Sequence, residues 1–272
     1  MKTNVIFSGG LGNQMFQFAL VLALRSKGIK TDLDISFYNY TKMHNGYELK
    51  KIFGIKDHVI NKKGTHLLWL RFLDKFNPRS LVLKDNLSYN HMVISHPQRY
   101  IRGYWQSERY FQDVSEKVRE AFRFKKIDKY NLELAESMQQ TVSVSLHIRR
   151  GDYAKFGIPF AGEEFYRRAV DVISEKIGPA FYFIFSDDTE EANRIANLLG
   201  IKYRLVNHNK GAESYKDMFL MSQCKHNIIA NSSFSWWGAW LNANIGKIVI
   251  APQVWIERRP EFKPQCKDWI LV

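Results

Sequence analysis

What this sequence has little of narrows its chemistry before any motif is read. Only two cysteines, Cys224 and Cys266, occur in 272 residues. They are too few for a disulfide framework and lack the paired spacing of a zinc site, so a reducing, cytoplasmic setting is expected. No stretch approaches the roughly 20 consecutive apolar residues that cross a bilayer. The opening Met1-Lys-Thr-Asn-Val-Ile-Phe-Ser-Gly-Gly10 breaks its apolar run at Gly9 and offers no export signal. Any membrane contact is expected to be peripheral, at the inner face. Repeats and low-complexity tracts are also missing.

Acidic residues are scarce in one half alone. Residues 1–127 hold 22 Lys and Arg against 10 Asp and Glu, whereas residues 128–272 hold 18 against 17. A basic half suits nucleic acid, an anionic lipid surface or an acidic substrate, or is simply solvated. Against nucleic acid stands the lack of zinc-finger spacing, an RNP motif or a helix-turn-helix signature, so no nucleic-acid partner is expected. What is present is ordinary globular composition, 45% hydrophobic and 25% charged, in a length that fits one large domain or two smaller ones.

The C-terminal half is the clearer one. Apolar runs at 142–148, 181–186, 201–206, 227–230 and 248–251 read as short strands. Helical periodicity fills three of the gaps, at 163–177, 190–199 and 213–224. That alternation specifies a parallel, doubly wound sheet. The N-terminal half opens as a strand (Asn4–Ser8), a glycine turn, a helix with Phe16, Ala19, Leu20, Ala23 and Leu24 on one face, and a second strand near Thr31–Ile35. From about Phe37 to Asn90 the periodicity is weak and no detailed structure is expected. Segment 128–140 reads as a polar helical bridge, which gives a boundary near residue 130 and domains of 1–130 and 131–272.

Ligands bind open parallel sheets outside the carboxyl ends of the strands. That rule selects His147–Asp152, Ser186–Thr189, Asn207–Gly211, Asn231–Ser235 and the loop at Pro252. Strand alternation puts His147 and Arg149 on one face and Ile148 and Arg150 on the other. A guanidinium leaving a strand end matches phosphate oxygens at any working pH, so Arg149 is the expected anion ligand and Arg150 the expected surface ion pair. Gly151-Asp152 fits a plain turn, and Asp152 also stands where a general base would meet an acceptor hydroxyl. Asp188 caps the helix that follows it, while Asp187 is open to a ribose or base contact or a cation. In Asn231-Ser-Ser-Phe-Ser235, hydroxyls and free N–H groups at a helix start make an anion site, with N-capping alone as the competing reading. Trp236, Trp237 and Trp240 have core spacing. Gly9-Gly-Leu-Gly-Asn13, followed by Asp32 and Asp34, invites a dinucleotide-binding reading. The pattern fails at Met15, where a third glycine is needed, which leaves Gly10, Gly12 and Asn13 for close approach of the backbone to substrate.

Five segments then coincide, in order, with one family: Gly9-Gly-Leu-Gly-Asn-Gln-Met-Phe-Gln17, Gly103-Tyr-Trp-Gln-Ser-Glu-Arg-Tyr-Phe111, His147-Ile-Arg-Arg-Gly-Asp-Tyr153, Phe185-Ser-Asp-Asp188 and Asn231-Ser-Ser-Phe-Ser-Trp-Trp-Gly238. The chain resembles the bacterial and animal α-1,2-fucosyltransferases over nearly its whole length. The resemblance implies an α/β GT-B fold, two Rossmann-like domains facing across a cleft, with the acceptor side in 1–130 and GDP-fucose in 131–272. It implies transfer of L-fucose from GDP-β-L-fucose to the 2-hydroxyl of a terminal galactose with inversion, with no cofactor and no essential metal. Within it Arg149 is the pyrophosphate ligand, His147 and Asp217 approach the guanine or ribose, and Ser232, Ser233, Phe234 and Ser235 run along the phosphates. The base is unsettled, so Asp152 stays a candidate. The expected acceptor is a galactose-terminated oligosaccharide or a lipid-linked glycan, whose diphosphate the basic half would suit. A transferase of the same architecture using another sugar nucleotide is the alternative.

Overall fold

The computed structural model describes residues 2–41, 44–64, 66, 72, 82–85, 87–150 and 161–272. The chain divides into two compact units, Met1–Lys125 and Lys126–Val272.

In the first unit, β1 (Lys2–Ile6) leads through Gly9-Gly10 into α1 (Leu11–Ser26), and β2 (Lys30–Asp34) follows. The residues spaced for one helical face, Phe16, Ala19, Leu20, Ala23 and Leu24, are buried, and so are Phe18 and Val21. A helix apolar nearly all round is a core helix. Next come α2 (Leu49–Phe53), β3 (Val59–Ile60), β4 (Val82–Lys84), α3 (Met92–Ser95), β5 (Tyr100–Arg102) and α4 (Ser115–Ala121). The five strands form one parallel sheet in the order β3-β2-β1-β5-β4. The region from 37 to 90, where the sequence pattern is weak, thus contributes β3 and β4, each too short to show a period.

The second unit opens with α5 (Lys129–Gln139) and continues β6 (Ser143–Ile148), α6 (Glu163–Ile177), β7 (Phe181–Ser186), α7 (Thr189–Leu199), β8 (Tyr203–Val206), α8 (Tyr215–Gln223), β9 (His226–Ile228), α9 (Ser233–Leu241), β10 (Val249–Ala251) and β11 (Ile270–Leu271). The sheet is parallel, in the order β11-β10-β9-β6-β7-β8. Read from the other edge, the fourth strand in sequence lies on the far side of the first, which is the Rossmann order. One face is the apolar layer of Val144, Leu146, Ile148, Tyr182 and Ile184 under α6 and α7. On the other, Phe183 and Phe185 pack against Leu134, Ala135 and Met138 of α5 and Leu220 and Met221 of α8. The polar segment 128–140 is therefore no bridge. Its apolar stripe, Leu134, Ala135 and Met138, is core of the second unit, with Asn131 buried beside it.

Candidate active site

The strand order of the second unit marks the place where open parallel sheets bind their ligands. From β6 the chain crosses to β7 on one side, while β9 lies on the other, so the connections leave in opposite directions and open a crevice at the carboxyl ends of β6 and β9. The expected residues sit there. Parallel register pairs Ile148 with Ser186, which puts the next residues, Arg149 and Asp187, side by side. The Arg149 guanidinium lies 3.1 Å from Asp187 Oδ2, with the two side chains 25% and 29% exposed. The other carboxylate oxygen accepts the Arg150 backbone N–H at 3.1 Å. Arg150 itself turns to the opposite face and pairs with Glu191 of α7, which also holds Arg194 at 2.8 Å. Alternation along β6 thus separates a cleft arginine from a structural one. Gly151, Asp152 and Tyr153 lie outside the described residues.

His147 is buried at the end of β6, with its ring 6.3 Å from that of Phe234 at the start of α9. Burial, aided by the Arg149 charge, depresses its pKa to about 3 against an opposing pull from Asp187. The imidazole is neutral at any working pH, and its Nδ1 is buried with no hydrogen-bond partner among the described residues. The Tyr166 hydroxyl donates to the His147 carbonyl at 3.1 Å and pins the strand end. Sequence reading missed Tyr166, because a tyrosine on the buried stripe of α6 looks like any core aromatic.

The α9 run divides by residue. Ser232 is the N-cap, its Oγ accepting the Phe234 N–H at 3.3 Å. Ser235 is fully buried and donates to the Ser232 carbonyl at 3.4 Å. Asn231 donates to the Trp255 carbonyl at 3.2 Å. Ser233 and Phe234 are half-buried at the first turn. Trp236, Trp237 and Trp240 are core, as their spacing implies. The cap engages the Phe234 N–H and leaves the positive helix end in place, so capping does not exclude an anion there. Asp188 likewise caps α7 by accepting the Glu191 N–H at 3.0 Å.

Asp217 lies in the first turn of α8, beyond β8 and two strands from β6. Its Oδ1 accepts from Asn209 at 2.8 Å, and Asn209 exchanges hydrogen bonds with Asn131, which also meets His208 at 3.0 Å. Burial pushes Asp217 up to about 7, and the Asn209 bond only partly offsets it. The strand-end rule selects the loop holding His208 and Asn209, but Asn131, at the start of a helix distant in sequence, gave no signal.

In the first unit, Gly9 and Gly10 lie in the turn between β1 and α1, and Leu11 to Asn13 open the helix. Gly9 has φ +80°, and a Cβ there would lie 2.6 Å from Asn13 Nδ2. A Cβ on Gly10 would come 3.2 Å from His44 Nδ1, so this backbone is exposed to close approach only because side chains are absent. Gly12 follows in the first turn of α1. Asn13 Oδ1 accepts from Gln106 Nε2 at 2.7 Å, and Gln17 donates to the Gly103 carbonyl at 2.8 Å. Pairing of β1 with β5 is what brings the two distant motifs together. Among the described residues no group of three or more His, Cys, Asp or Glu is placed to hold a metal ion, and no helix is long and apolar enough to cross a membrane.

The sequence model of glycosyl transferase family 11 matches residues 2–271. The chain belongs to glycosyl transferase family 11. It is 36% identical to an alpha-1,2-colitosyltransferase of Escherichia coli over 97% of each chain. It is 23% identical to galactoside alpha-(1,2)-fucosyltransferase 1 of Alouatta belzebul, over 86% of this chain and 63% of that one. The crystal structure of a glycosyl transferase family 9 protein from Veillonella parvula DSM 2008 matches with a TM-score of 0.51 at 10% identity, covering 100% of this chain and 86% of that one. The fold of this family 11 transferase is GT-B, built of two Rossmann-like units.

Proposed function

We propose that the protein transfers a 6-deoxy-L-hexose, in the first instance L-fucose, from its GDP-β-activated form to the 2-hydroxyl of a terminal galactose-type residue, with inversion. The observation that carries this reading is the Rossmann switch point of the second unit, where Arg149 leaves β6 on the same side as the start of α9. As the anomeric C1–O bond breaks, its electron pair goes to the β-phosphate, and the acceptor oxygen bonds to C1 while losing its proton. Arg149 and the positive end of α9 oppose the charge growing on the diphosphate, and the neutral His147 adds no competing charge. With protein cations in that place the reaction needs no metal.

The 36%-identical colitosyltransferase favours a second donor, GDP-colitose. Colitose differs from fucose by lacking the 3-hydroxyl. A site that hydrogen-bonds that hydroxyl rejects the deoxy sugar strongly, whereas a site merely large enough for it discriminates weakly. The test is a panel of GDP-fucose, GDP-colitose and UDP-galactose with galactose-terminated acceptors, in EDTA. Transfer from a GDP-deoxyhexose with an α-1,2 linkage in the product supports the reading. Transfer from the UDP-sugar alone, or none without added divalent metal, overturns it. The basic excess of residues 1–127 supports an acceptor carried on a lipid diphosphate, read as salt-sensitive activity on that acceptor and binding to anionic liposomes.

A further inference from the structure

We propose that the Tyr166 hydroxyl is the positioning group that sets Arg149 for the diphosphate; this rests on the transferase reading above. The need for such a group arises where β6 and β9 part. Phe181 of β7 donates to the Val142 carbonyl, so even-numbered residues along β6 turn their main-chain groups to β7 and odd-numbered ones to β9. From the side of β9 the alternation agrees: Ile229 donates to the Ile250 carbonyl of β10, which leaves Ile228 to face β6. That ladder ends with the pair Leu146 and Ile228. The His147 carbonyl and the Arg149 N–H therefore point to the side where β9 has stopped. Opening the crevice leaves two buried main-chain groups without a strand to bond, and such groups are costly unless paired.

Tyr166 supplies both bonds. It lies in the first turns of α6 and is fully buried. Its hydroxyl donates to the His147 carbonyl at 3.1 Å, and the same oxygen accepts the Arg149 N–H. A residue opposite Ile148 in a continued parallel ladder would make these two bonds with its own N–H and C=O, so one phenol stands in for the missing strand residue. Burial raises its pKa, which keeps the hydroxyl protonated and able to donate. On the β7 side Asp187 holds the next peptide by accepting the Arg150 N–H at 3.1 Å. The main chain from which the Arg149 side chain leaves is thus fixed from two sides, by Tyr166 and by Asp187. A guanidinium meets two phosphate oxygens at once only if its own backbone is held. Tyr166 is sealed beneath the strand end, so it acts on the diphosphate through Arg149 and not by contact.

The experiment is a double-mutant cycle on the full-length protein: wild type, Tyr166→Phe, Arg149→Ala and the two together. Tyr203→Phe serves as a control, since its hydroxyl donates to Asn193 at 2.9 Å on the edge strand β8. GDP affinity is read by isothermal titration, with Tm alongside, and transfer kcat and both KM values on whichever GDP-sugar the wild type accepts. Phenylalanine keeps the ring volume, so Tyr166→Phe is expected to fold, to bind GDP more weakly and to lose kcat on the order of 10–10²-fold with acceptor KM held. In the Arg149→Ala background the same change is expected to alter GDP affinity by about twofold or less, because the arginine it positions is gone. Tyr203→Phe lowers Tm and leaves GDP affinity and kcat unchanged. Losses of GDP affinity that multiply in the double variant overturn the proposal and leave the transferase reading intact. So do near wild-type kcat and GDP affinity in Tyr166→Phe, or failure of that variant to fold, which assigns the hydroxyl to stability alone. A wild type that binds no GDP, or an Arg149→Ala variant that binds it as wild type does, overturns the reading of Arg149 and the proposal with it.

Discussion

The carboxyl edges of the two sheets are held together by different chemistry. In the first unit the edge is tied mainly by neutral amides. Gln14 donates to the Gly9 and Gly46 carbonyls at 3.2 and 2.8 Å, Gln17 bridges Ser8 and Gly103, and Asn13 meets Gln106. Asp85 is occupied by the main-chain N–H groups of Leu87, Tyr104 and Trp105. In the second unit the edge is a chain of ion pairs, Arg149 with Asp187, Arg150 with Glu191, and Arg194 with Glu191 and Glu163. An amide frame binds neutral hydroxyls without desolvating charge, whereas a charged frame meets a diphosphate with fixed cations. The contrast is opposite to the formal charge, which is concentrated in residues 1–127. Net charge describes the surface of a unit and not the chemistry of its strand ends.

If that division is right, removing the cleft arginine disables catalysis without unfolding anything. Arg149→Ala is expected to lower kcat on the order of 10²–10³-fold, the typical effect of losing a contact to charge that develops in the transition state. Arg149→Lys recovers little of it, because an ammonium cannot reproduce the planar fork. Arg150→Ala, at the structural pair, should leave kcat near wild type, and equal losses at 149 and 150 would dissolve the distinction drawn from strand alternation. The counterpart in the first unit is steric. Gly103 has φ +150°, and a Cβ there would fall 2.0 Å from the Asp85 Cβ. Gly103→Ala therefore strains the β5 edge and costs about 1–3 kcal/mol or more, read as an unfolding shift. GDP affinity should persist if the second unit binds it alone.

How much of this was legible depended on signal length. In the second unit, the six-residue β6 and β7 and helices as long as Glu163–Ile177 carry enough periods to show the alternation, and the shorter strands are read from the apolar runs between helices. The two-residue β3 and three-residue β4 show none, and their places are set by tertiary pairing with β2 and β5. At the site, Arg149 and Arg150 were separable because they sit at the end of a six-residue strand whose parity is unambiguous. The Asn131 and Tyr166 contacts were not, since each joins helices to strand ends through a single side chain with no local pattern.

The pH dependence of stability separates two groups of the second unit. Burial lowers His147 from its ordinary 6.5 to about 3, so on acidification the unfolded chain takes up the proton first. The stabilisation is complete above about pH 6.5 and is lost as pH falls from there towards 3. Asp217 is raised from 3.8 to about 7, so the native state holds the proton longer. Its contribution is present in acid and is lost as pH rises through 7. Between about pH 4 and 6.5 the two contributions have opposite slopes, so in unfolding titrations His147→Gln should make stability fall more steeply with rising pH and Asp217→Asn should make it rise more steeply. An unchanged slope in either variant would contradict the corresponding burial.

The smallest expected effect tests whether the cap of α9 and the anion site are separable. Ser232→Ala removes the acceptor of the Phe234 N–H, which costs about 1 kcal/mol of stability on the usual scale of N-caps. The helix dipole and free N–H groups do not depend on that hydroxyl, so GDP should still bind, weakened by less than in Arg149→Ala. Isothermal titration with GDP, alongside thermal unfolding, distinguishes the outcomes. A stability loss with affinity nearly intact makes Ser232 a cap that orders the helix start. An affinity loss as large as that of Arg149→Ala would make the hydroxyl itself a phosphate ligand, with the ordering of the charged edge depending on both.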